Sequence, residues 1–495
     1  VYADFDCDGI PGAAVLSDFF TKIGHANFEV YLPHRDREGY GLHKDAIREL
    51  AERGTTLIIT VDVGTNAQEP VRYARELGID TIVTDHHEIT GALPDCVAVL
   101  NPKLGSYPFR ELCGAAVAFK LAQALIIEGK RMNMPRFTAT PTGWEKWLLD
   151  MVAIATVADM VPLVGENRAL VHFGLKVLQK SQRAGIAALC DRLRLRRSSL
   201  TEDEIAFSIA PRINAASRMD EPDLAFQLLT TTDSNEADKL AAHLESLNAR
   251  RKSVVAGVVK QARRNVSARY TQDARVVVLG DPEWKPALLG LAANSILAER
   301  SGIVCLWGRD ATGRLKGSCR SDGSVSITEL FSNASDAFEE YGGHAFSGGF
   351  SVSHESVHTL GETLSRAAEA LELSKTRDAR EHDALATLPE ISSALFGEVS
   401  RLAPFGIGNP KPVFQVCDII VTGVRRFGRD SAHIELQLEC RRTGSRARAF
   451  DFFRSPEGFT HAPAEGKETR ILATIERDSY RGGLALRLVD MLKPA

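Results

Sequence analysis

None of the eight cysteines among the 495 residues stands in a Cys-x-x-Cys pair. That absence argues against a zinc site and against a disulfide framework, and it fits a reducing cytoplasm. A long apolar run is also missing, as is a signal peptide, so neither membrane spanning nor export is expected. There is no excess of positive charge: the formal net charge is −4. This argues against a histone-like, uniformly basic binder, but leaves room for a nucleic-acid enzyme with a local basic groove. No internal repeat or low-complexity tract stands out. What is present is 44% hydrophobic and 25% charged, ordinary for a soluble globular chain and long enough for several domains. The chain opens at Val1 inside a strand pattern, so a preceding N-terminal piece is expected, together with any targeting segment it carries.

The first eight residues organise the rest. Asp4, Asp6 and Asp8 stand at alternate positions after a short apolar start, and Gly9 follows. On a strand, alternation places all three on one side. Three close carboxylates repel one another unless a positive partner neutralises them, and a divalent cation with oxygen ligands does this economically. A solvated Asx-rich turn is the alternative reading of the motif alone. Further along, Leu57–Val61 is an apolar strand ending at Asp62, and Thr81–Thr84 is another, ending at Asp85, His86 and His87. Strands at Phe28–Leu32 and helices at 10–23, 43–53 and 67–77 alternate with them. That alternation predicts a parallel α/β sheet, in which ligands gather beyond the carboxyl ends of the strands. Three strand ends that each deliver metal-type side chains favour the cation site. Helices are expected at Ala115–Gly129 and Trp144–Ala158, the second stopped by Pro162, with Asp159 just before the stop as a further ligand. Helical segments from Phe173 to about Leu195 close the first domain.

Phe207–Arg218 reads as a mixed loop whose Arg212, Arg218 and Asn214 are candidates for phosphate contact, with surface ion pairs as the alternative. From Asp233 a long helix with a capping-box start carries Leu240, Leu244, Leu247, Val254, Val255 and Val258 at helical spacing and links two lobes. Arg275–Gly280 and Ile303–Trp307 begin a second, smaller α/β unit. Leu315–Ser321 holds Ser318 and Arg320 in a tight segment, a plausible phosphate cradle. Glu340–Gly349 is a glycine-rich turn supplying His344. Lys375, Arg377, Asp378 and Arg380 mark a polar linker. After Pro404–Pro410, short strands at 413–416, 433–438, 447–453, 470–475 and 484–489 predict a small antiparallel barrel of OB size. Arg425, Arg426, Arg429, Arg441, Arg442, Arg446 and Arg448 lie there among Phe427, Phe450, Phe452 and Phe453. A basic groove with aromatic platforms suits single-stranded nucleic acid, and a solvated basic face over an apolar core is the alternative.

Taken together, ADFDCDG, VDVG, DHH, ADMVP, APRINAASRM, KGSCRS, GGHAFSGG and APFGIGNPKPVF resemble the DHH/DHHA1 phosphoesterase superfamily, and within it the RecJ-like branch. The likeness runs over nearly the whole chain. Tyr2 stands where many other relatives place a His, and Asp4 offers a carboxylate instead, which favours that branch. Val63 and Cys319 depart from the expected small or polar residues. The resemblance implies a DHH domain at 1–195 lacking its N-terminal segment, a connecting segment with a long helix at 196–270, a DHHA1 domain at 271–375 and an OB-like nucleic-acid-binding domain at 376–495. It implies a metal-dependent 5′→3′ exonuclease that releases mononucleotides from single-stranded DNA in repair and recombination. A phosphodiesterase of short oligonucleotides or cyclic dinucleotides is the alternative. Two ions, Mn2+ or Mg2+, would be held with Asp62 as bridge, Asp6 and Asp4 on one ion, and Asp8, His86 and Asp159 on the other. Asp85 would orient a ligand and His87 would meet the scissile phosphate. Arg35, Ser318 and Arg320 would form a 5′-phosphate pocket, with Arg212 and His344 as further phosphate contacts. A cytoplasmic monomer is expected, with a single-strand-binding protein and a RecQ-type helicase as partners. A channel between the α/β lobes too narrow for duplex would select single strands.

Overall fold

The computed structural model describes residues 1–371, 382–428, 431–478 and 481–494. The linker residues Lys375, Arg377, Asp378 and Arg380, and Arg429 of the basic set, lie outside the described residues. Two compact units make up the chain.

The first unit begins with a sheet of β1 (Tyr2–Ala3), β2 (Leu57–Val61), β3 (Asp80–Thr84) and β4 (Ala98–Leu100), in that order and all parallel. Ile58 to Val61 are buried without alternation, as a strand covered on both faces requires. The helices Gly9–Lys22 and Gly114–Arg131 share one apolar core with the helix Leu149–Ala158. The strand expected at Phe28–Leu32 is reduced to a bridge between Tyr31 and Tyr2. Pro33 follows at once and has no N–H to extend the pairing.

The expected loop at 207–218 is helical. A π-turn at Ile205–Ile209 leads into the helix Ala210–Arg218, with Pro211 in its first turn. Ile205, Ile209, Ile213 and Ala216 are buried at helical spacing, and this stripe outweighs the polar residues between them. Proline in the first turn starts a helix, since its missing N–H has no partner there in any case. The long helix runs from Ser234 to Arg269, with Asp233 accepting from the N–H groups of Asn235 and Glu236. The box is not closed as expected, because Glu236 takes the hydroxyl of Thr231 instead. Leu240, Leu244 and Leu247 join the core of the first lobe, while Val258 and Val259 join that of the second.

That second lobe is a five-stranded sheet of β5 (Val276–Gly280), β6 (Ile303–Arg309), β7 (Leu315–Ser321), β8 (Glu340–His344) and β9 (Ser347–Val352), ordered β5-β6-β7-β9-β8. The segment expected to be a cradle is thus strand β7. Lys316, Ser318 and Arg320 share one face of it, and the alternate residues are buried on the other. The glycine-rich turn is a hairpin whose strands are β8 and β9. Cys319 lies opposite Cys305 across β6 and β7, and the two form a disulfide. Opposition across neighbouring strands cannot be read from cysteine spacing, so the sequence held no sign of this single pair.

In the second unit, β10 (Ala384–Ala386) pairs with β11 (Phe414–Phe427), followed by β12 (His433–Cys440), β13 (Arg446–Asp451), β14 (Glu468–Arg477) and β15 (Leu484–Leu492). β11 also pairs with β14, closing a five-stranded barrel of β11-β12-β13-β15-β14. Val416, Ile434, Leu436, Ile471 and Leu486 fill it. Among the described residues, no helix is long and apolar enough to cross a membrane.

Candidate metal centre

Pairing of β1, β2 and β3 brings their carboxyl ends together, so Asp4, Asp62 and Asp85 emerge side by side. The three acids of the first motif do not converge by strand alternation. β1 ends at Ala3, and residues 4–8 turn directly into the helix that starts at Gly9. Asp6 Oδ1 holds this turn by accepting from the N–H groups of Asp8 at 2.8 Å and Gly9 at 3.2 Å. Cys7 N–H donates to Asn214 Oδ1 at 3.1 Å, which ties the turn to the helix Ala210–Arg218. Asn214 therefore positions the first motif, where the sequence had pointed to phosphate.

Asp8 precedes one helix but its carboxylate caps another. Gly114 N–H donates to it at 2.6 Å and Ala115 N–H at 2.7 Å. The positive end of the helix dipole favours an anion there. A β-carbon on Gly114 would lie 2.5 Å from Asp62 Cβ, so only glycine lets that helix end approach. Asp62 itself has φ of 62°, a left-handed conformation costing about 1–2 kcal/mol. Its N–H still pairs with Thr84 O at 2.9 Å, so the sheet absorbs the bend.

His86 Nε2 lies 3.2 Å from Asp62 Oδ1 and 3.7 Å from both Asp8 Oδ2 and Asp159 Oδ2. Asp159 caps the end of the helix Leu149–Ala158. Ligand atoms of Asp4, Asp6 and Asp62 lie within 4.8 Å of one another, as do those of Asp8, His86 and Asp159, and those of Asp62, His86 and His87. Asp85 serves differently. It accepts from Thr65 N–H at 2.8 Å, His86 N–H at 2.7 Å and His87 Nδ1 at 2.7 Å. Burial alone would raise its pKa, yet the bonds from His87 and Thr65 hold it well below the usual carboxylate range. Burial opposes protonation of His87, and Asp85 outweighs it and raises the imidazole's pKa. With Nδ1 turned to Asp85, Nε2 of His87 is left for a ligand.

Burial, followed by the neighbouring carboxylates, pushes Asp4 and Asp62 well above the ordinary range. Burial also raises Asp8, against the pull of His86. Asp159 is pushed up to about 9 by burial and by Asp8. Burial keeps His86 neutral, the form that ligates metals. Asp4 Oδ1 and Asp62 Oδ1 are buried without a hydrogen-bond partner. Leaving such an atom unpaired costs about 1–3 kcal/mol or more. Divalent cations remove both the orphaning and the repulsion, and this mixed oxygen and imidazole set suits Mn2+ or Mg2+.

A cleft of about 370 Å³ separates the two lobes of the first unit and is lined by Arg35, Tyr40 and Ser318. Arg35 stacks on Phe5 at 4.9 Å. Arg218 donates to Ala287 O at 2.6 Å and is lowered to about 9 by burial, then by the charges of Arg35, Arg251 and Arg320. Of these guanidinium groups, that of Arg35 lines the cleft. Arg212 does not join them: it pairs with Glu245 at 2.7 Å and donates to Ser208 O. His344 is exposed on β8, where its charge is felt by Glu88 of the first lobe. Two residues were missed. Arg251 comes from the long helix, where its charge looked like surface. Tyr40 Oη lies 3.1 Å from His87 Nδ1 and donates to Asp62 O at 3.2 Å. The only sign of it in the sequence is its place between Gly39 and Gly41, both at positive φ.

Among the described barrel arginines two groups stand out, and Arg426 belongs to neither, its Nε donating to Ser431 O at 2.7 Å. Arg441, Arg442 and Arg446 pair with Glu468, Asp418 and Glu439. Arg425 and Arg448 meet at Glu435 beside the aromatic residues.

The family described as DHH family, N-terminal domain, matches residues 1–156, the DHHA1 domain matches 273–372, and the RecJ OB domain matches 382–490. The single-stranded-DNA-specific exonuclease RecJ of Bacillus subtilis is 34% identical over 89% of this chain, which spans 55% of that protein's length. Its counterpart in Haemophilus influenzae is 28% identical over 100% of this chain and 87% of its own. The crystal structure of RecJ with Mn2+ from Thermus thermophilus superposes with a TM-score of 0.80 at 29% identity, covering 100% of this chain and 68% of that one. Aligned by sequence, the Thermus thermophilus protein is 32% identical over 68% of its length and the whole of this chain. With that identity, and with the DHH, DHHA1 and OB parts in the same order, the chain belongs to the RecJ family of single-stranded-DNA-specific exonucleases.

Proposed function

We propose that this chain is a metal-dependent 5′→3′ exonuclease that hydrolyses single-stranded DNA to mononucleotides. The observation that carries this is the convergence of Asp4, Asp6, Asp8, Asp62, His86 and Asp159 at the strand ends, with buried carboxylate oxygens left unpaired. Two divalent ions fit the set: Asp4 and Asp6 would hold one, Asp8, His86 and Asp159 the other, and Asp62 would serve both. Relatives crystallised with Mn2+ and with Mg2+ support that choice of metal. When bound, the ions supply a hydroxide at neutral pH and charge neutralisation on the phosphodiester.

The chain's own residues do the rest. Asp8 and Asp62 are fixed by the Gly114 helix end and the β2–β3 pairing, so the ligand set is formed in advance. His87, its Nδ1 held by Asp85, presents Nε2 to the scissile phosphate, where it donates a proton to developing charge. Arg35, Ser318 and Arg320 bind the 5′-terminal phosphate, and Arg218 adds charge beside them. Starting at that end sets the polarity. The cleft between the two lobes admits one strand, and the barrel holds more of it by arginine and phenylalanine contacts. A single-strand-binding protein and a RecQ-type helicase are the partners this activity calls for, in DNA repair and recombination.

Degradation of oligonucleotides blocked at one end tests this reading. With Mn2+, a strand blocked at its 3′ end should be consumed and one blocked at its 5′ end should persist. Equal loss of both, or loss of the 5′-blocked strand alone, overturns the polarity.

A further inference from the structure

The barrel face beside the β11–β12 pairing contains an acid where a DNA-binding surface has least use for one. Cross-strand register puts Arg425, Glu435, Phe450 and Arg487 in one row across β11, β12, β13 and β15. The next row holds Phe427 and His433, with Phe452 packed on His433 at 5.1 Å. Glu435 is only 4% exposed, because arginines cover it. Arg425 reaches it at 3.0 Å, Arg448 at 3.0 Å and Arg481 at 3.2 Å. Those arginines come from β11, from β13 and from the stretch before β15, so one carboxylate gathers cations from three separate elements.

One carboxylate cannot use what three guanidinium groups offer. Each guanidinium has five N–H donors, and a carboxylate has about four acceptor sites. Three positive charges stand against two negatives, since Arg448 also pairs with Asp478. The side chains of Arg425 and Arg481 remain 57% and 44% exposed, so their free donors turn outward. Guanidiniums of this face are also tied to flat rings, Arg425 lying over Phe427 at 6.0 Å. Arg448 and Arg487 lie over Phe450 at 5.3 and 5.5 Å, and Arg487 lies over Phe452 at 4.4 Å. Phe452 is 43% exposed, open to a stacking partner. Oriented donors next to open aromatic rings match the alternation of phosphate and base along a single strand.

We propose that Glu435 is a positioning residue for single-stranded DNA: it pins Arg425 and Arg481 so that their outer N–H groups face the phosphates, while Arg448, shared with Asp478, anchors the carboxylate. This deepens the barrel's part in the proposed function and rests on that reading. The sign of the effect separates it from plain electrostatics. An acid in a polyanion site repels the ligand, so its removal should tighten binding. Removing an acid that orients the exposed arginines should weaken binding, although the site becomes more positive.

Anisotropy of a fluorescent oligothymidylate, titrated with the full chain in EDTA over a range of salt, reads this directly. Wild type should bind with a steep salt dependence. Glu435→Gln should weaken binding roughly five- to thirtyfold and flatten the salt slope, because freed arginines no longer meet the backbone together. Glu435→Asp keeps the charge but draws the carboxylate back. It should also weaken binding, and it decides the matter if Glu435→Gln fails to fold. Tighter or unchanged binding in the folded Gln variant, or unchanged binding in the Asp variant, overturns the inference. No binding by wild type would instead overturn the barrel's role in the proposed function.

Discussion

At the scale of single residues, the centre is a set of buried acids that hold their protons until a cation replaces them. Asp159 is raised to about 9, and Asp4, Asp8 and Asp62 are raised as well, burial being the largest cause in each. The folded acids therefore bind protons more tightly than the unfolded ones, whose pKa is about 4. By linkage, the metal-free protein should lose stability as pH rises from about 4 towards about 9. Melting in EDTA across that range should show a falling midpoint, and Mn2+ should restore it most at the alkaline end. A midpoint independent of pH would contradict the burial of these charges. Tyr40 belongs to the same scale. Its hydroxyl holds Asp62 O and its ring packs on His87 at 5.2 Å. Tyr40→Phe should lower kcat about two- to tenfold, the worth of one hydrogen bond, and Tyr40→Ala should lower it further. Steady-state kinetics on a single strand checks this.

At the scale of elements, precision comes from where chain segments start and stop. Asp62, Asp85, His86 and His87 were legible because each follows an apolar strand, and strand ends of a parallel sheet converge. Asp8 was legible as a candidate ligand, but its fixation by the Gly114 helix was not, since 106 residues separate donor and acceptor. Gly114→Ala should displace Asp62 and weaken Mn2+ binding about ten- to a hundredfold, measured by calorimetry. Asn214→Ala, which frees the Cys7 N–H, should act in the same direction. The helix at 210–218 was illegible for a different reason. Its polar side chains resemble a loop, and its apolar stripe matters only because a core waits to bury it. In the barrel, the basic residues were visible in the sequence, but their sorting was not. Glu435 meets Arg448 and Arg481 only after three strands and a turn have formed.

At the scale of the molecule, the two lobes of the first unit meet through a few charged contacts around the cleft. Lys285 reaches Asp36 at 3.0 Å and also pairs with Asp220, and Arg218 grips Ala287 O. Lys285→Met leaves two acids of the first lobe, Asp36 and Asp220, without the cation that the second lobe supplies. It should cost about 1–3 kcal/mol and speed hydrogen exchange in residues 34–40 and 284–290. Exchange confined to other regions would show that the lobes are held elsewhere. The sequence displayed both lobes and the barrel through their motifs. It could not display which cations were already spent on internal pairs, as Arg212 is on Glu245.

The claim on which the account rests is that the buried acids at the strand ends hold two divalent ions and that Asp62 reaches both. Calorimetric titration of Mn2+ into the metal-free full chain tests it most directly. Wild type should take up two ions per chain, and a folded Asp62→Asn variant should lose tight binding at both sites. Two undiminished sites in that variant, or no binding by wild type, would contradict it.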